Sequence, residues 1–243
     1  MKAVILAGVE GDKAGILQEK ASLVLKGVPM VSYIIRALKN SLYVNKILVV
    51  GNHESLQPII GQEVEDILPD QLSMMDNLKK GLEFLQGEEE VLIVTCDIPL
   101  IHAGMVDDFI EKTFQIQGDV YYPIVEKEIC TSNYPGVRRT YVALRDGTFT
   151  GGNMALVNPR SMKSIEMTLG QLIKYRKNPI KMSKAIGPGI LIKLLFKQLS
   201  VNEVENYIER KFGIRARAII SPYPEIANDI DKTGDIKLLE GYL

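Results

Sequence analysis

The sequence predicts a three-layer α/β/α fold around a mixed, mostly parallel sheet. Over about the first 115 of its 243 residues, apolar runs typical of buried strands alternate with segments of helical periodicity. This alternation is typical of parallel strands joined by right-handed helical crossovers, with helices on both faces of the sheet. The second half is richer in β signals, and its Asp146-Gly147 hairpin turn contributes antiparallel strands.

The elements of the first half follow one another in a regular order. The predicted strands are Lys2–Leu6, Lys46–Val50, Val64–Leu68 and Val91–Thr95. The predicted helices are Val28–Lys39, Met74–Leu85 and Met105–Phe114. Pro29 suits the first turn of the first helix, where a backbone N–H would have no intrahelical partner.

The second half is predicted to hold further helices and a late strand. The helices are Ser161–Tyr175, Gly189–Leu199 and Val201–Phe212, and a short one starts at about Gly234. Ser200 is a suitable N-cap for the helix that follows it. The late strand lies within Ile214–Ile220. Because no repeat or clear linker interrupts the chain, we expect one domain over residues 1–243, with a helical insertion at about 160–212.

Composition and charge exclude several functional classes. Hydrophobic residues make up 46% of the chain and charged residues 24%, as in ordinary globular proteins. The net charge of −1 gives no overall attraction for nucleic acid, so we expect no nucleic-acid partner. The densest basic stretch, from Lys174 to Lys184, is better explained as a solvated helix end than as a nucleic-acid patch.

Targeting signals and cysteine spacing indicate a cytoplasmic protein. The chain opens directly on an apolar, strand-like run without a basic leader. No apolar run approaches the roughly 18 residues of a membrane span. Cys96 and Cys130 show neither metal-ligand spacing nor a disulfide framework, as expected in a reducing compartment.

The first candidate site is the loop after the first strand, from Gly8 to Lys20. A glycine at a strand exit lets backbone N–H groups approach a phosphate, and Lys13 and Lys20 would add charge for a triphosphate. Glu10 and Asp12 oppose this interpretation, because carboxylates repel phosphate unless a metal lies between them. An acidic surface turn is therefore the alternative.

Carboxylates at later positions indicate a metal site. Asp97 follows a buried strand and comes shortly before Pro99, where it would hold a divalent cation or close a turn. Asp229 and Asp231 alternate, so in an extended segment both face one side, and a cation would neutralise them. Asp235 suits the start of the last helix and is assigned a structural role.

Paired glycines form the last candidate site. Gly151-Gly152 permits close approach of the backbone to a ligand, and Asn153 offers both a donor and an acceptor. The alternative is a β-bulge or a tight bend that contacts no ligand.

Taken in order, these stretches resemble the MobA-like branch of the nucleotidyltransferase family, which has a Rossmann-like, nucleotide-diphospho-sugar transferase-like fold. The resemblance spans nearly the whole chain. The matching residues and segments, from the family's opening Leu-Ala-Gly-Gly to its closing acidic motif, are Leu6, Ala7, Gly8, Lys20, "KGVPM", Asp97-Ile98-Pro99, "FTGGNMALVNP" and "DIDKTGDI".

The resemblance implies Mg²⁺-dependent transfer of a nucleoside monophosphate from a nucleoside triphosphate to a small phosphorylated acceptor, with release of pyrophosphate. It implies that Asp97, with Asp229 or Asp231, holds the metal and that Lys20 and Asp97 act in catalysis. Nucleotide binding falls in residues 1–115 and acceptor binding in residues 116–243. The implied nucleotide-binding residues are Leu6, Ala7, Gly8, Lys13, Lys20, Ser73 and Asn77, and the implied acceptor-binding residues are Gly151, Gly152 and Asn153.

The sequence departs from the family pattern in the loop. Val9 replaces the second glycine, and the Arg-Met-Gly segment is absent, since the first arginine in the chain is Arg36. The missing arginine removes a bidentate phosphate ligand that lysine replaces poorly. A nucleotide-binding protein without catalysis is therefore one alternative. A glycosyltransferase that uses a nucleotide sugar is another, although Asp97-Ile98-Pro99 is not the Asp-x-Asp of such enzymes.

The predicted helix at 189–199 carries an apolar face, which contains Ile190, Leu191, Leu194, Leu195 and Leu199. Packing in the core or in a homodimer is the favoured interpretation of this face. An interfacial membrane helix, or a groove for a lipid-like acceptor, is the alternative. Apart from that helix, we expect no membrane partner.

Overall fold

One nine-stranded sheet organises the part of the chain that the structure, a computed structural model, describes: residues 1–8, 19–71, 73–167 and 187–243. A separate two-stranded ribbon joins β2 to β3. The strands are β1 (Lys2–Ala7), β2 (Val24–Leu25), β3 (Val28–Pro29), β4 (Lys46–Gly51), β5 (Asp66–Pro69), β6 (Val91–Thr95), β7 (Val120–Glu126), β8 (Val142–Leu144), β9 (Gly147–Gly151), β10 (Met154–Val157) and β11 (Ala216–Ser221).

The helices flank this sheet and follow the strands in the predicted alternation. They are α1 (Met30–Lys39), α2 (His53–Ile60), α3 (Met74–Phe84), α4 (Ala103–Thr113), α5 (Lys127–Asn133), α6 (Pro188–Leu195), α7 (Val201–Phe212) and α8 (Thr233–Leu239). Residues 162–167 are also helical. No helix within the described ranges is long and apolar enough to cross a membrane.

The sheet is mixed, with most strands pointing the same way. β1 pairs in parallel with β4 and with β6, and β5 extends the sheet beyond β4. β10 runs antiparallel between β6 and β7, and β11 pairs in parallel with β7. β9 pairs antiparallel with β7 and with β8, so β9 and β10 run against the other seven strands of this sheet. The carboxyl ends of β1 and β6 therefore lie side by side, where ligands bind in such sheets.

Helices cover both faces of the sheet, and the alternation of side chains in β1 shows this directly. Ala3 and Ile5 pack into a core shared with α1, α2 and α4. Val4 and Leu6 point the other way, into a second core shared with α3 and α7. A strand buried on both faces has a continuous apolar sequence, which is the pattern that predicted it. The predicted three-layer fold is confirmed.

Several predicted helix boundaries are wrong, and the backbone conformation of a nearby residue accounts for two of them. Pro29 does not lie in the first turn of α1; it forms part of β3 and occupies the N-cap position. The predicted helix Gly189–Leu199 ends at Leu195, because Lys197 adopts a left-handed conformation with φ 54°. The predicted capping of α7 by Ser200 is confirmed by its bond from the backbone N–H of Glu203.

The sequence reading missed α2 and α5. The Asn52 side chain caps α2 by accepting from the backbone N–H groups of Glu54 and Ser55. Pro58 inside the helix weakens its sequence pattern, because proline removes a backbone hydrogen bond. Residues 168–175 of the predicted helix Ser161–Tyr175, and the basic stretch up to Lys184, lie outside the described residues.

The apolar face predicted at 189–199 is divided between core and solvent. Leu199 is buried, but Ile192, Leu195 and Phe196 are 55%, 79% and 71% exposed. Core packing is therefore wrong for Leu195. The homodimer, the interfacial helix and the lipid-like acceptor stay predictions.

A glycine in α3 sets the distance between this helix and the sheet. A Cβ atom at Gly81 would lie 2.8 Å from Cγ1 of Val4 in β1. The backbone of the helix therefore packs directly against the side chains of the strand. We expect Gly81→Val to lower the free energy of unfolding by about 1–3 kcal/mol through overpacking. Chemical denaturation measures the change. Gly87→Val is the matched control, since no atom lies within 4 Å of its Cβ position, and equal losses for both variants would contradict the prediction.

Candidate active site

Three segments meet at the carboxyl ends of β1 and β6. Asp97 follows β6 directly, and the backbone N–H of Cys96 donates to the carbonyl of Leu6 at 3.1 Å. The segment after β11 joins them because the N–H of Ile230 donates to the carbonyl of Asp97 at 2.9 Å. These backbone bonds bring residues about 130 positions apart in the sequence to one edge of the sheet.

Three carboxylates converge at this edge. One oxygen each from Asp97, Asp229 and Asp231 lies within 4.8 Å of the others. The sequence had left open which of the last two joins Asp97, and the structure brings in both. Such a concentration of negative charge is unfavourable without cations or hydrogen-bond donors beside it.

Lys20 bridges two of the three carboxylates. Its Nζ donates to Oδ2 of Asp97 at 3.0 Å and to Oδ1 of Asp231 at 2.7 Å. Burial alone would lower the pKa of Lys20, but the neighbouring carboxylates, first that of Asp97, outweigh burial and raise it. The ammonium group is therefore charged at neutral pH.

Arg139 supplies a second cation, which the sequence reading missed. Its Nη1 donates to Oδ1 of Asp229, and its Nη2 donates to the carbonyl oxygen of Asp229 at 3.3 Å and to Oδ1 of Asn228 at 3.4 Å. Arg139 lies in the connection between α5 and β8, in no recognisable motif. In the sequence, only the pair Arg138-Arg139 before a strand draws attention to this residue, and such a pair does not distinguish a site residue from a surface arginine.

Thr95 and Asn153 support the carboxylates from the sheet. The Thr95 hydroxyl donates to Oδ1 of Asp97 at 2.6 Å, and its backbone N–H donates to the carbonyl of Asn153 at 3.0 Å. The Asn153 side chain lies 3.5 Å from Oδ1 of Asp229 through its Nδ2 atom. Asn153, predicted on the acceptor side, thus lies in contact with the acidic cluster.

Comparison with known proteins shows the family to which the chain belongs. A family model described as the MobA-like NTP transferase domain matches residues 3–184. The chain belongs to this family. A solved structure from Thermus thermophilus, described as a hypothetical transferase, is 33% identical; the alignment covers 97% of this chain and 98% of that one, with a TM-score of 0.84.

Two other similar proteins share part of the sequence or only the fold. The bifunctional protein GlmU of Rubrobacter xylanophilus is 32% identical over 113 residues, which are 45% of this chain and 24% of that protein. The chain thus matches about a quarter of the length of this curated relative. The CMP:2-keto-3-deoxy-manno-octonic acid synthetase complexed with CTP is 11% identical, with a TM-score of 0.65 over 100% of this chain and 98% of that one. The fold is therefore that of the nucleotide-diphospho-sugar transferases.

The two glycines predicted to approach an acceptor are packed against the protein itself. A Cβ atom at Gly151 would lie 2.4 Å from the hydroxyl oxygen of Tyr122, and one at Gly152 would lie 2.9 Å from Cγ of Pro123. The Tyr122 hydroxyl also donates to the carbonyl of Gly152 at 2.7 Å. Close packing against Tyr122 and Pro123 accounts for glycine at both positions, and their role in acceptor binding stays a prediction.

The predicted nucleotide-binding residues lie near the same edge, and several have structural partners. Asn77 accepts from the backbone N–H of Gln71 at 2.6 Å, and its amide fills the space that a Cβ at Gly8 would need. Ser73 caps α3 by accepting from the N–H of Asp76 at 3.1 Å. Leu6 and Ala7 are part of β1. Lys13 lies outside the described residues.

Both cysteines are free and buried, one of them beside the acidic cluster. Burial raises the pKa of the Cys96 thiol, and the charge of Asp97 raises it further. Burial also raises the pKa of Cys130. Since the thiolate is the reactive form, we expect neither thiol of the native protein to react with a disulfide reagent at pH 8. Both should react in guanidinium, and fast native labelling of Cys96 would count against this description of the site.

Proposed function

We propose that the chain is a Mg²⁺-dependent nucleotidyltransferase. It transfers a nucleoside monophosphate from a nucleoside triphosphate to a small phosphorylated acceptor and releases pyrophosphate. The observation that carries the proposal is the group of three carboxylates at the carboxyl ends of β1 and β6, bridged by Lys20. Membership of the MobA-like NTP transferase family supports it.

The donor set fits a magnesium ion. Mg²⁺ prefers oxygen ligands at about 2.1 Å, so two ligands of one ion lie at most about 4.2 Å apart. Oxygens that already lie within 4.8 Å of one another need only small side-chain rotations to reach that spacing. We propose Asp97, Asp229 and Asp231 as the residues that hold it. When bound, the ion would neutralise charge on the phosphates and orient them.

Lys20 is proposed to bind the triphosphate. Its ammonium lies at the carboxylates, on a long side chain that is 31% exposed and can turn toward the phosphates. An oxygen of the acceptor phosphate attacks the α-phosphorus and forms the new P–O bond. The bond between the α-phosphorus and the bridging oxygen breaks, and pyrophosphate leaves with its electron pair, stabilised by the ammonium. No side-chain nucleophile is needed, because the acceptor phosphate is already anionic.

The two halves of the chain are proposed to divide the substrates. Residues 1–115 hold the nucleotide, with Ser73 and Asn77 near the base, and residues 116–243 hold the acceptor near Asn153. The hydrogen bond from the backbone N–H of Thr95 to the carbonyl of Asn153 supports this division, because it joins the two halves beside Asp97.

Pyrophosphate release tests the reaction. The protein is incubated with Mg²⁺, each of the four nucleoside triphosphates and a panel of sugar and alcohol phosphates. Pyrophosphate release that requires one acceptor of the panel supports transfer of the nucleoside monophosphate to that acceptor. Nucleotide binding without turnover on a broad panel would favour a non-catalytic nucleotide-binding protein.

Asp97 is expected to be essential for this release. Loss of a direct ligand should cost more than the roughly 10–100-fold that loss of an outer hydrogen-bond partner costs, so we expect Asp97→Asn to lower kcat/KM more than 100-fold. Asp108→Asn on the surface of α4, where the carboxylate pairs with Lys112, is the control and should keep wild-type activity. Wild-type turnover in Asp97→Asn would refute the assigned role.

Removal of the Lys20 charge is expected to strengthen metal binding and to slow turnover. Its ammonium lies within 3.0 Å of two oxygens that a metal would need, so the two cations compete. We expect Lys20→Met to tighten Mn²⁺ binding without nucleotide, measured by electron paramagnetic resonance, with Mn²⁺ as the probe for Mg²⁺. The same change should lower kcat by about 100-fold or more, because a charge at the leaving group is lost. Weaker Mn²⁺ binding would contradict the competition.

A further inference from the structure

The guanidinium of Arg139 contacts both the side chain and the backbone of Asp229. Nη1 contacts the carboxylate and Nη2 the carbonyl oxygen of the same residue, while Oδ1 of Asn228 accepts a further bond. A planar guanidinium with several donors in a fixed geometry restricts the rotation of its partner in a way that a single ammonium does not.

The surroundings of Arg139 differ from those of Lys20. The Arg139 side chain is only 11% exposed, and Asn228 is almost completely buried. The Lys20 side chain is 31% exposed and contacts two different carboxylates. Of the two cations, Arg139 is therefore the one that the fold holds in place.

The contacts on Asp229 leave one of its oxygens for another ligand. Among the described residues, the hydrogen bonds to its carboxylate, from Arg139 and from Nδ2 of Asn153, both fall on Oδ1. Since both donors approach the same oxygen, the carboxylate is oriented with Oδ2 available to a cation.

The arrangement is costly for stability. Nε of Arg139 and Nδ2 of Asn228 are buried and have no hydrogen-bond acceptor among the described residues. Burial also lowers the pKa of Arg139, against the attraction of Asp235 and Asp231. A buried donor without an acceptor destabilises a fold, so these two donors offset part of the stability that the ion pair of Arg139 with Asp229 contributes.

We propose that Arg139 is a positioning residue, which orients Asp229 for a divalent cation. The inference rests on the proposed function and names a residue from outside its motifs. This proposal predicts the opposite of what charge repulsion alone predicts for metal binding. A positive charge beside a metal site repels the metal, so removal of the charge alone would tighten binding. If Arg139 positions Asp229, its removal weakens binding instead.

The test compares Mn²⁺ affinity of the full-length protein and its variants, without nucleotide, by electron paramagnetic resonance of free Mn²⁺. We expect Arg139→Met and Arg139→Lys both to weaken binding by about 10-fold or more, as loss of an outer hydrogen-bond partner does at other metal sites. Lysine keeps the charge and loses the two-point contact. Arg145→Met, at an exposed arginine in the turn between β8 and β9, is the control and should bind Mn²⁺ like the wild type.

The outcomes separate the inference from the proposed function. Wild-type affinity in Arg139→Lys, or tighter binding in Arg139→Met, overturns the inference and leaves the metal site in place. Absence of Mn²⁺ binding in the wild-type protein overturns the metal site and the inference with it. Circular dichroism checks folding; if Arg139→Met does not fold, the Arg139→Lys result alone decides.

Discussion

The mutual repulsion of three carboxylates is the constraint on which the candidate active site depends. Asp97, Asp229 and Asp231 are held together by backbone bonds between the ends of strands, and nothing in those bonds neutralises their charge. Lys20 and Arg139 do so, each within hydrogen-bond distance. With three negative and two positive groups, the cluster keeps a net charge of −1, which favours a further cation.

The sheet holds these charged groups close together in spite of their repulsion. β1 and β6 are parallel neighbours, so residues after both strands emerge at one edge without a long loop. Thr95 and Asn153 extend the support by hydrogen bonds from β6 and from the bend between β9 and β10. Two covered faces keep the strands rigid, so the acids are held by the fold itself.

A guanidinium reaches this MobA-like site by an unexpected route. The family's loop arginine is absent from the sequence, where the first arginine is Arg36. Arg139 approaches from the opposite half of the chain, and it contacts carboxylates. Arg139 therefore differs from a loop arginine in its position in the sequence, and its partner is a carboxylate.

The sequence by itself determined the layers, most of the strands and the position of Asp97, because these depend on local periodicity and on position after a buried strand. It left open whether Asp229 or Asp231 joins Asp97. Tertiary structure decided what depends on distant partners: the close packing around Gly152 and the pairing of Arg139 with Asp229. A Cβ atom at Gly152 would lie 2.9 Å from Cγ of Pro123, about 30 positions away in the sequence, and Arg139 lies 90 positions from its partner. No local pattern records such contacts, since they form only when the sheet brings the two halves together.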